Sequence, residues 1–189
     1  MSYNAAVESS ILFKIYKVFS RPESPSIKGG KKYMHRMYCN GEIVIFWDSE
    51  KCYHARRCVT GSPKTFDINR RPWIDPSQAP SAEIWQAISK CPSGALSCVY
   101  DHGISVVFNE ESSKSEAYDG EKLIGECDYI ASSDQWTITH TEVSPEYGGK
   151  GIAKRLVYKV TEEAERRGAK IVPLCSYAAK VLTSEKGQQ

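Results

Sequence analysis

Thr139-His-Thr-Glu-Val-Ser-Pro-Glu-Tyr-Gly-Gly-Lys-Gly-Ile-Ala153 decides how the second half of this chain folds. Before it, Trp136 to Val143 has the texture of a strand. After it, from Gly151 to Arg167, the apolar residues Ile152, Leu156, Val160 and Ala164 recur on one helical face. The glycine-rich turn therefore joins a strand to an amphipathic helix. A helix N-terminus presents unpaired N–H groups and the positive end of its dipole, and glycines let a phosphate come close to that backbone. On these grounds the turn is an anion site, best suited to a pyrophosphate. It is neither a P-loop nor a dinucleotide fingerprint, because the spacing of both motifs is missing.

The pattern continues on either side. Gly168 follows the helix as a C′ glycine, Ala169-Lys-Ile-Val172 reads as a strand, and Tyr177 to Leu182 as a short helix. Upstream, Val106-Val-Phe108 and Lys122-Leu-Ile124 through Ile130 read as strands, and Asp119-Gly120 predicts a hairpin turn between them.

Thr139-His-Thr-Glu-Val143, Gly149-Lys-Gly-Ile-Ala153 and Val172-Pro-Leu-Cys175 resemble the smallest GNAT acetyltransferases, the YjdJ type, over about 75 residues. The resemblance implies a minimal GNAT-like α/β domain, an antiparallel sheet with two helices, that binds acetyl-CoA and acetylates an amine. The family's Q/R-x-x-G-x-G/A motif falls on Gly148, Gly149, Lys150, Gly151, Ile152 and Ala153. Gly148 replaces the usual Arg or Gln, which removes one side-chain contact to the pyrophosphate and leaves the backbone cradle. The resemblance also implies that the pantetheine arm runs beside the preceding strand near Val143.

Acetyl transfer needs a deprotonated amine, oxyanion stabilisation and a proton donor for the leaving thiolate. Glu142 is the candidate general base, with a plain surface carboxylate as the alternative. Cys175 stands where the family places a cysteine near the thioester, suited to protonating the thiolate or to transient acetylation; the alternative is a packing cysteine. Tyr177 is a second candidate acid. Ser176 takes the place of a common proline, and the polar Thr183-Ser-Glu-Lys-Gly-Gln-Gln189 stands where the family has a further tail that helps to build the acceptor pocket.

The first half is marked by Cys52-Tyr-His-Ala-Arg-Arg-Cys58 and Cys91-Pro-Ser-Gly-Ala-Leu96. A bacterial ferredoxin loop runs Cys-x2-Cys-x2-Cys and is closed by a distant Cys-Pro. Here the outer loop cysteines and Cys91-Pro92 are present, and Ala55 occupies the middle position. Such a set holds a three-iron cluster, or a four-iron cluster whose last iron takes another ligand, for which His54 is the candidate against a solvent-facing histidine. Arg56 and Arg57 beside the cluster would favour its reduced, more negative state. Buried thiols and a zinc site are the alternatives, although zinc usually recruits two closely spaced Cys/His pairs.

Asn40-Gly-Glu-Ile43, the Cys52 to Cys58 loop, Phe66-Asp67, Arg71-Pro-Trp73 and Cys91-Pro-Ser-Gly-Ala95 together resemble the divergent single-cluster ferredoxin-like domain, the YjdI type, over about residues 36 to 98. The resemblance implies an iron–sulfur cluster, 4Fe-4S in preference to 3Fe-4S, on Cys52, Cys58, Cys91 and the candidate His54. Cys39 and Cys98 are expected to pack. Within this half Glu42-Ile-Val-Ile-Phe-Trp47 reads as a buried strand after the Asn40-Gly41 turn, 61–80 as irregular, and Ala82 to Lys90 as a helix with Ser81 as N-cap.

The expected fold class is therefore α+β, a small ferredoxin-like iron–sulfur domain followed by the GNAT-like domain. The expected division is 1–31 as an appendage and linker, 32–100 as the cluster domain and 101–189 as the acetyl-CoA-binding domain. Ser10 to Phe19 is apolar but broken by two lysines, reads as a short helix, and lacks the form of a secretory signal. The net charge of +2 in 189 residues gives no footprint for nucleic acid or an anionic membrane. No apolar run approaches the roughly 18 residues that would span a bilayer. Seven cysteines, an odd number without an export signal, point to reduced thiols and a cytoplasmic location. The expected function is an acetyl-CoA-dependent N-acetyltransferase with a structural or redox-sensing cluster. The competing reading is an electron carrier, with a redox partner, whose GNAT-like part binds CoA without catalysis.

Overall fold

The computed structural model describes residues 35–182. The expected helix at 10–19, the linker at 21–30 and the polar tail at 183–189 lie outside the described residues. Two sheets carry the chain. Strands β1 (His35–Cys39), β2 (Ile43–Asp48) and β3 (Leu96–Tyr100) form an antiparallel sheet in that order, with Tyr38 opposite Ile45 and Ile45 opposite Cys98. Between β2 and β3 lie the short helix α1 (Arg57–Gly61) and the helix α2 (Ser81–Ser89).

Strand β2 is apolar from Ile43 to Trp47 because both of its faces are covered. Ile43 and Ile45 pack with Phe66, Ile74, Ile84, Ala87 and Leu96 on the cysteine side. Val44 and Phe46 pack on Tyr158 on the other side. Helix α2 begins at Ser81 with Pro80 at the N-cap and no side-chain cap, one position earlier than the sequence suggests.

The second sheet runs β4 (Ser105–Asn109), β5 (Lys114–Asp119), β6 (Lys122–Ala131), β7 (Gln135–Val143) and β8 (Lys170–Pro173). It is antiparallel up to β7, and β8 joins parallel to β7. The Asp119-Gly120 turn joins β5 to β6, not β4 to β6, because β5 stands between them. Helix α3 (Ile152–Arg166) crosses one face, and α4 (Ser176–Leu182) closes its end. Ile152, Leu156, Val160 and Ala164 are buried against Ala117, Ile124, Cys127 and Ile138, as the four-residue period predicts. Gly168 at φ 76° ends the helix in the left-handed conformation of a C′ glycine.

Helix α3 has a second working face. Lys154, Tyr158 and Glu162, also four apart, meet the three-stranded sheet. Tyr158 packs edge-on to Phe46 at 5.2 Å, and Glu162 Oε1 accepts a 2.8 Å hydrogen bond from the Met37 N–H. One helix is thus the common wall of both sheets. No helix among the described residues is long and apolar enough to cross a membrane.

Candidate functional sites

Cys52 and Cys58, at the two ends of the loop that leads into α1, and Cys91, on the turn after α2, line one hollow walled by Trp47, Trp73, Pro92 and Leu96 and edged by Arg56 and Arg57. The loop to Cys58 turns tightly: His54 and Arg56 both adopt left-handed backbone, at φ 61° and 59°. Cys58 lies in the first turn of α1. Cys91 sits on the turn after α2, where its sulfur is 3.5 Å from the Ser93 hydroxyl. Burial alone would raise the Cys91 thiol, but the Ser93 hydroxyl and the N–H groups of Leu96, Ser93 and Ala95 outweigh it and hold it below the usual value. Burial pushes the Cys58 thiol up, against the N–H of Val59.

Three thiols around a dry-walled hollow, with N–H groups aimed at sulfur, are a donor set that fits an iron–sulfur cluster. They enclose a space instead of converging on a point: among the described residues no group of three or more His, Cys, Asp or Glu side chains is placed to hold a single metal ion. His54 is exposed and is not part of the hollow's lining. Its Nδ1 lies 3.9 Å from Cys52 Sγ. The tryptophan walls were not singled out as cluster contacts in the sequence; only Trp73, inside Arg71-Pro-Trp73, carried a signal. Cys39 does more than pack, since its sulfur lies 3.4 Å from Asp101 Oδ2.

The second site is built where β7 outruns β8. The two strands stay paired up to Ile138 and Pro173. There the N–H groups of Leu174 and Cys175 both donate to the Ile138 carbonyl, at 2.9 and 3.0 Å. Thr139 is an extra residue opposite the Asp128–Tyr129 step, a bulge that bends β7 at this point. From Thr139 to Val143, β7 has no β8 partner, which leaves that backbone edge unpaired by β8. Beyond Val143 the chain passes through 144–147 into the Gly148–Ala153 turn.

In that turn Gly149 and Gly151 have φ of 77° and 73°. Helix α3 has no side-chain cap. Its first helical bond runs from Arg155 N–H to the Gly151 carbonyl, so the N–H groups ahead of it have no helical acceptor. Lys150 lies over the Tyr147 ring at 4.8 Å, and the Tyr147 hydroxyl donates to Asp119 Oδ2 at 2.7 Å. Uncapped N–H groups, close-approach glycines and an open strand edge are a donor set that fits coenzyme A.

Cys175 stands just ahead of α4 and faces Thr141, with its sulfur 3.7 Å from Thr141 Oγ1; Thr141 in turn donates to Cys127 Sγ at 3.4 Å. Burial would raise the Cys175 thiol, but the Ala178 N–H, the Thr141 hydroxyl and the Tyr177 N–H hold it below the usual value. Tyr177 is raised by burial and by Cys175. Strand alternation turns Glu142 to the face opposite Thr141. There Glu142 is 71% exposed and lies 3.4 Å from His140 Nε2. The structure therefore brings Cys175 and Tyr177 together and leaves Glu142 across the strand. Thr141, which links two thiols, was missed because only its neighbour Glu142 had a recognisable acid–base side chain.

Residues 114–188 match the family described as GCN5-related N-acetyl-transferase, and residues 38–101 match divergent 4Fe-4S mono-cluster. The uncharacterized protein YjdI of Escherichia coli strain K12 is 37% identical over 62 residues, which are 33% of this chain and 82% of that protein. The protein of that name from Escherichia coli O157:H7 has the same identity and coverage. Among solved structures, ribosomal-protein-alanine N-acetyltransferase from Brucella melitensis biovar Abortus 2308 overlaps 40% of this chain and 62% of its own at 18% identity and TM-score 0.33. N-acetylglutamate synthase from Neisseria gonorrhoeae, complexed with coenzyme A and N-acetyl-glutamate, overlaps 42% of this chain and 21% of its own at 21% identity and TM-score 0.33. Through residues 38–101 the chain belongs to the divergent 4Fe-4S mono-cluster family of YjdI, and it carries behind that domain a GCN5-related N-acetyltransferase fold.

Proposed function

We propose that this chain is an acetyl-CoA-dependent N-acetyltransferase of the small YjdJ type, acting on an amine, in residues 101–189, fused to a 4Fe-4S domain of structural or redox-sensing role in residues 32–100. The observation that carries the transferase reading is the combination of an uncapped α3 N-terminus, a β7 edge without a β8 partner, and Cys175 against Thr141 of that same edge. Acetyl-CoA supplies the activated acyl group when bound. The N–H groups of the Gly148–Ala153 turn bind its pyrophosphate, with no side chain needed from Gly148. The β7 edge near Val143 orients the arm by main-chain hydrogen bonds. Glu142, exposed beside His140, takes the proton of the incoming amine. Cys175 or Tyr177 returns a proton to the departing sulfur; the Tyr177 hydroxyl, raised by burial, keeps its proton at neutral pH.

In the other half, Cys52, Cys58 and Cys91 hold the cluster, and His54 completes the set if its loop turns inward. A cluster would supply a cross-link between the Cys52–Cys58 loop and the turn at Cys91, and a one-electron couple. The test is acetyl transfer from labelled acetyl-CoA to a panel of small amines and peptides, on anaerobically purified chain of known iron and sulfide content. Transfer lost in Glu142→Gln supports the reading. The placement of Arg56 and Arg57 at the rim of the hollow favours a second reading, an electron carrier meeting a redox partner. A reversible one-electron couple without acetyl transfer to any amine selects it.

A further inference from the structure

Strand β3 is a wall of both sites. On one side Leu96 lines the cysteine hollow, and the N–H groups of Leu96, Ser93 and Ala95 are aimed at the Cys91 sulfur. Side chains alternate along a strand, so Ser97 and Val99 face the other way, onto the first turn of α3. Ser97 Oγ accepts a 2.8 Å hydrogen bond from Lys154 Nζ. A Cβ placed on Gly151 would lie 2.8 Å from Val99 Cγ1, so the turn and the strand touch with no room between them.

Lys154 is held from its other sides as well. Its ammonium lies 4.4 Å from the Phe46 ring centroid and 5.4 Å from that of Tyr158. The next residue, Arg155, reaches the segment that joins the two sheets, with Nη1 2.7 Å from Asp101 Oδ1 and Nη2 donating to the Ile104 carbonyl at 2.7 Å. Two cationic side chains this close to a helix N-terminus are within reach of an anion bound there. Here both are spent on fixing that turn to the half of the chain that carries the cysteines. Close-packed contacts of this kind pass on small displacements instead of absorbing them.

We propose that Ser97 and Val99 are positioning residues for the coenzyme A turn, through which filling of the cysteine hollow tightens coenzyme A binding. The inference rests on the Gly148–Ala153 turn being the coenzyme A site. Ligation of Cys91 fixes the 93–96 segment, and with it the strand against which the turn is seated, so the filled chain presents a pre-organised cradle. Binding linkage is reciprocal: coenzyme A must slow loss of the cluster to the degree that the cluster tightens coenzyme A.

The test uses the full chain, anaerobic, filled or stripped with a chelator. Coenzyme A is titrated calorimetrically into each form, and iron loss to the chelator is timed with and without saturating coenzyme A. The expected result is binding weaker in the stripped chain by a factor in the range of about 5–150, and slower iron loss when coenzyme A is present. Lys154→Met keeps the apolar stem and deletes the bond to Ser97; in it both effects shrink toward unity while the filled chain still binds coenzyme A. Equal affinity in the filled and stripped wild-type chain overturns the coupling and leaves the coenzyme A site standing. No binding in either form overturns both. Should stripping abolish the far-ultraviolet dichroism, iron loss from the folded chain decides, and a rate indifferent to coenzyme A overturns the proposal. Full coupling in Lys154→Met overturns the route through Ser97.

Discussion

Gly149 and Gly151 offer a controlled comparison, because they share a backbone conformation and differ in what surrounds them. Both have left-handed φ, 77° and 73°. An alanine at either pays the Cβ–carbonyl clash of that conformation, about 1–2 kcal/mol. A Cβ on Gly149 would meet no heavy atom within 4 Å, so Gly149→Ala should cost only that. A Cβ on Gly151 would stand 2.8 and 3.2 Å from the two Val99 methyls, neither of which can swing away from a packed strand. Overpacking of this sort adds about 1–3 kcal/mol, which brings Gly151→Ala to about 2–5 kcal/mol. Urea unfolding of the iron-loaded chain, followed by tryptophan fluorescence, reads the difference. Combining Gly151→Ala with Val99→Ala removes both methyls and should recover the overpacking part, so the pair is less destabilising than the sum of its members. If Gly151→Ala costs no more than Gly149→Ala, or the double variant is simply additive, the close seating of the turn on β3 is refuted.

Arg155→Ala leaves Asp101, whose side chain is 12% exposed, without its guanidinium; loss of about 3–5 kcal/mol is expected in the same unfolding assay. Lys154 gives a pH signature. Burial lowers it from 10.5 to about 8, so between these values the unfolded chain binds more protons and stability rises with pH. That rise is on the order of 3 kcal/mol and should vanish in Lys154→Met. Cys98, raised to about 11 by burial, acts in the opposite direction above pH 9 but is common to both chains, so the difference between them isolates the lysine. Cys175, held below the usual thiol value, should be alkylated by iodoacetamide at lower pH than Cys127, which burial raises to about 11. Peptide mapping across the pH range checks the order, and coenzyme A should protect Cys175.

The strand–turn–helix unit was legible because its physical requirements leave traces in residue type: glycines where φ is positive, and apolar residues at Ile152, Leu156, Val160 and Ala164 where the helix meets the sheet. Strand β5, Lys114-Ser-Glu-Ala-Tyr-Asp119, was invisible because one of its faces is polar and Lys114 finds its partner across the sheet, on Glu126. Strand β1 was hidden in the same way: Arg36 pairs with Glu165 of α3, a partner far away in sequence. The five residues of α1 are too short to show a period. In the cluster half, residue type marked Cys52, Cys58 and Cys91 but could not show that Trp47 and Trp73 close the space around them. Least legible was the second face of α3. Nothing in the residue types of Lys154 and Arg155 marks them as inward-facing, and only the packing of the two sheets on one helix turns them so.

The most direct test of the account is calorimetric titration of acetyl-CoA into the anaerobically purified full chain, beside Gly149→Asp, which places a carboxylate in the uncapped turn where no neighbour obstructs it. The account predicts saturable binding of one acetyl-CoA per chain, lost in Gly149→Asp while the far-ultraviolet dichroism and iron content stay those of the wild type. Binding that survives the added charge, or no saturable binding by the wild-type chain, would contradict it.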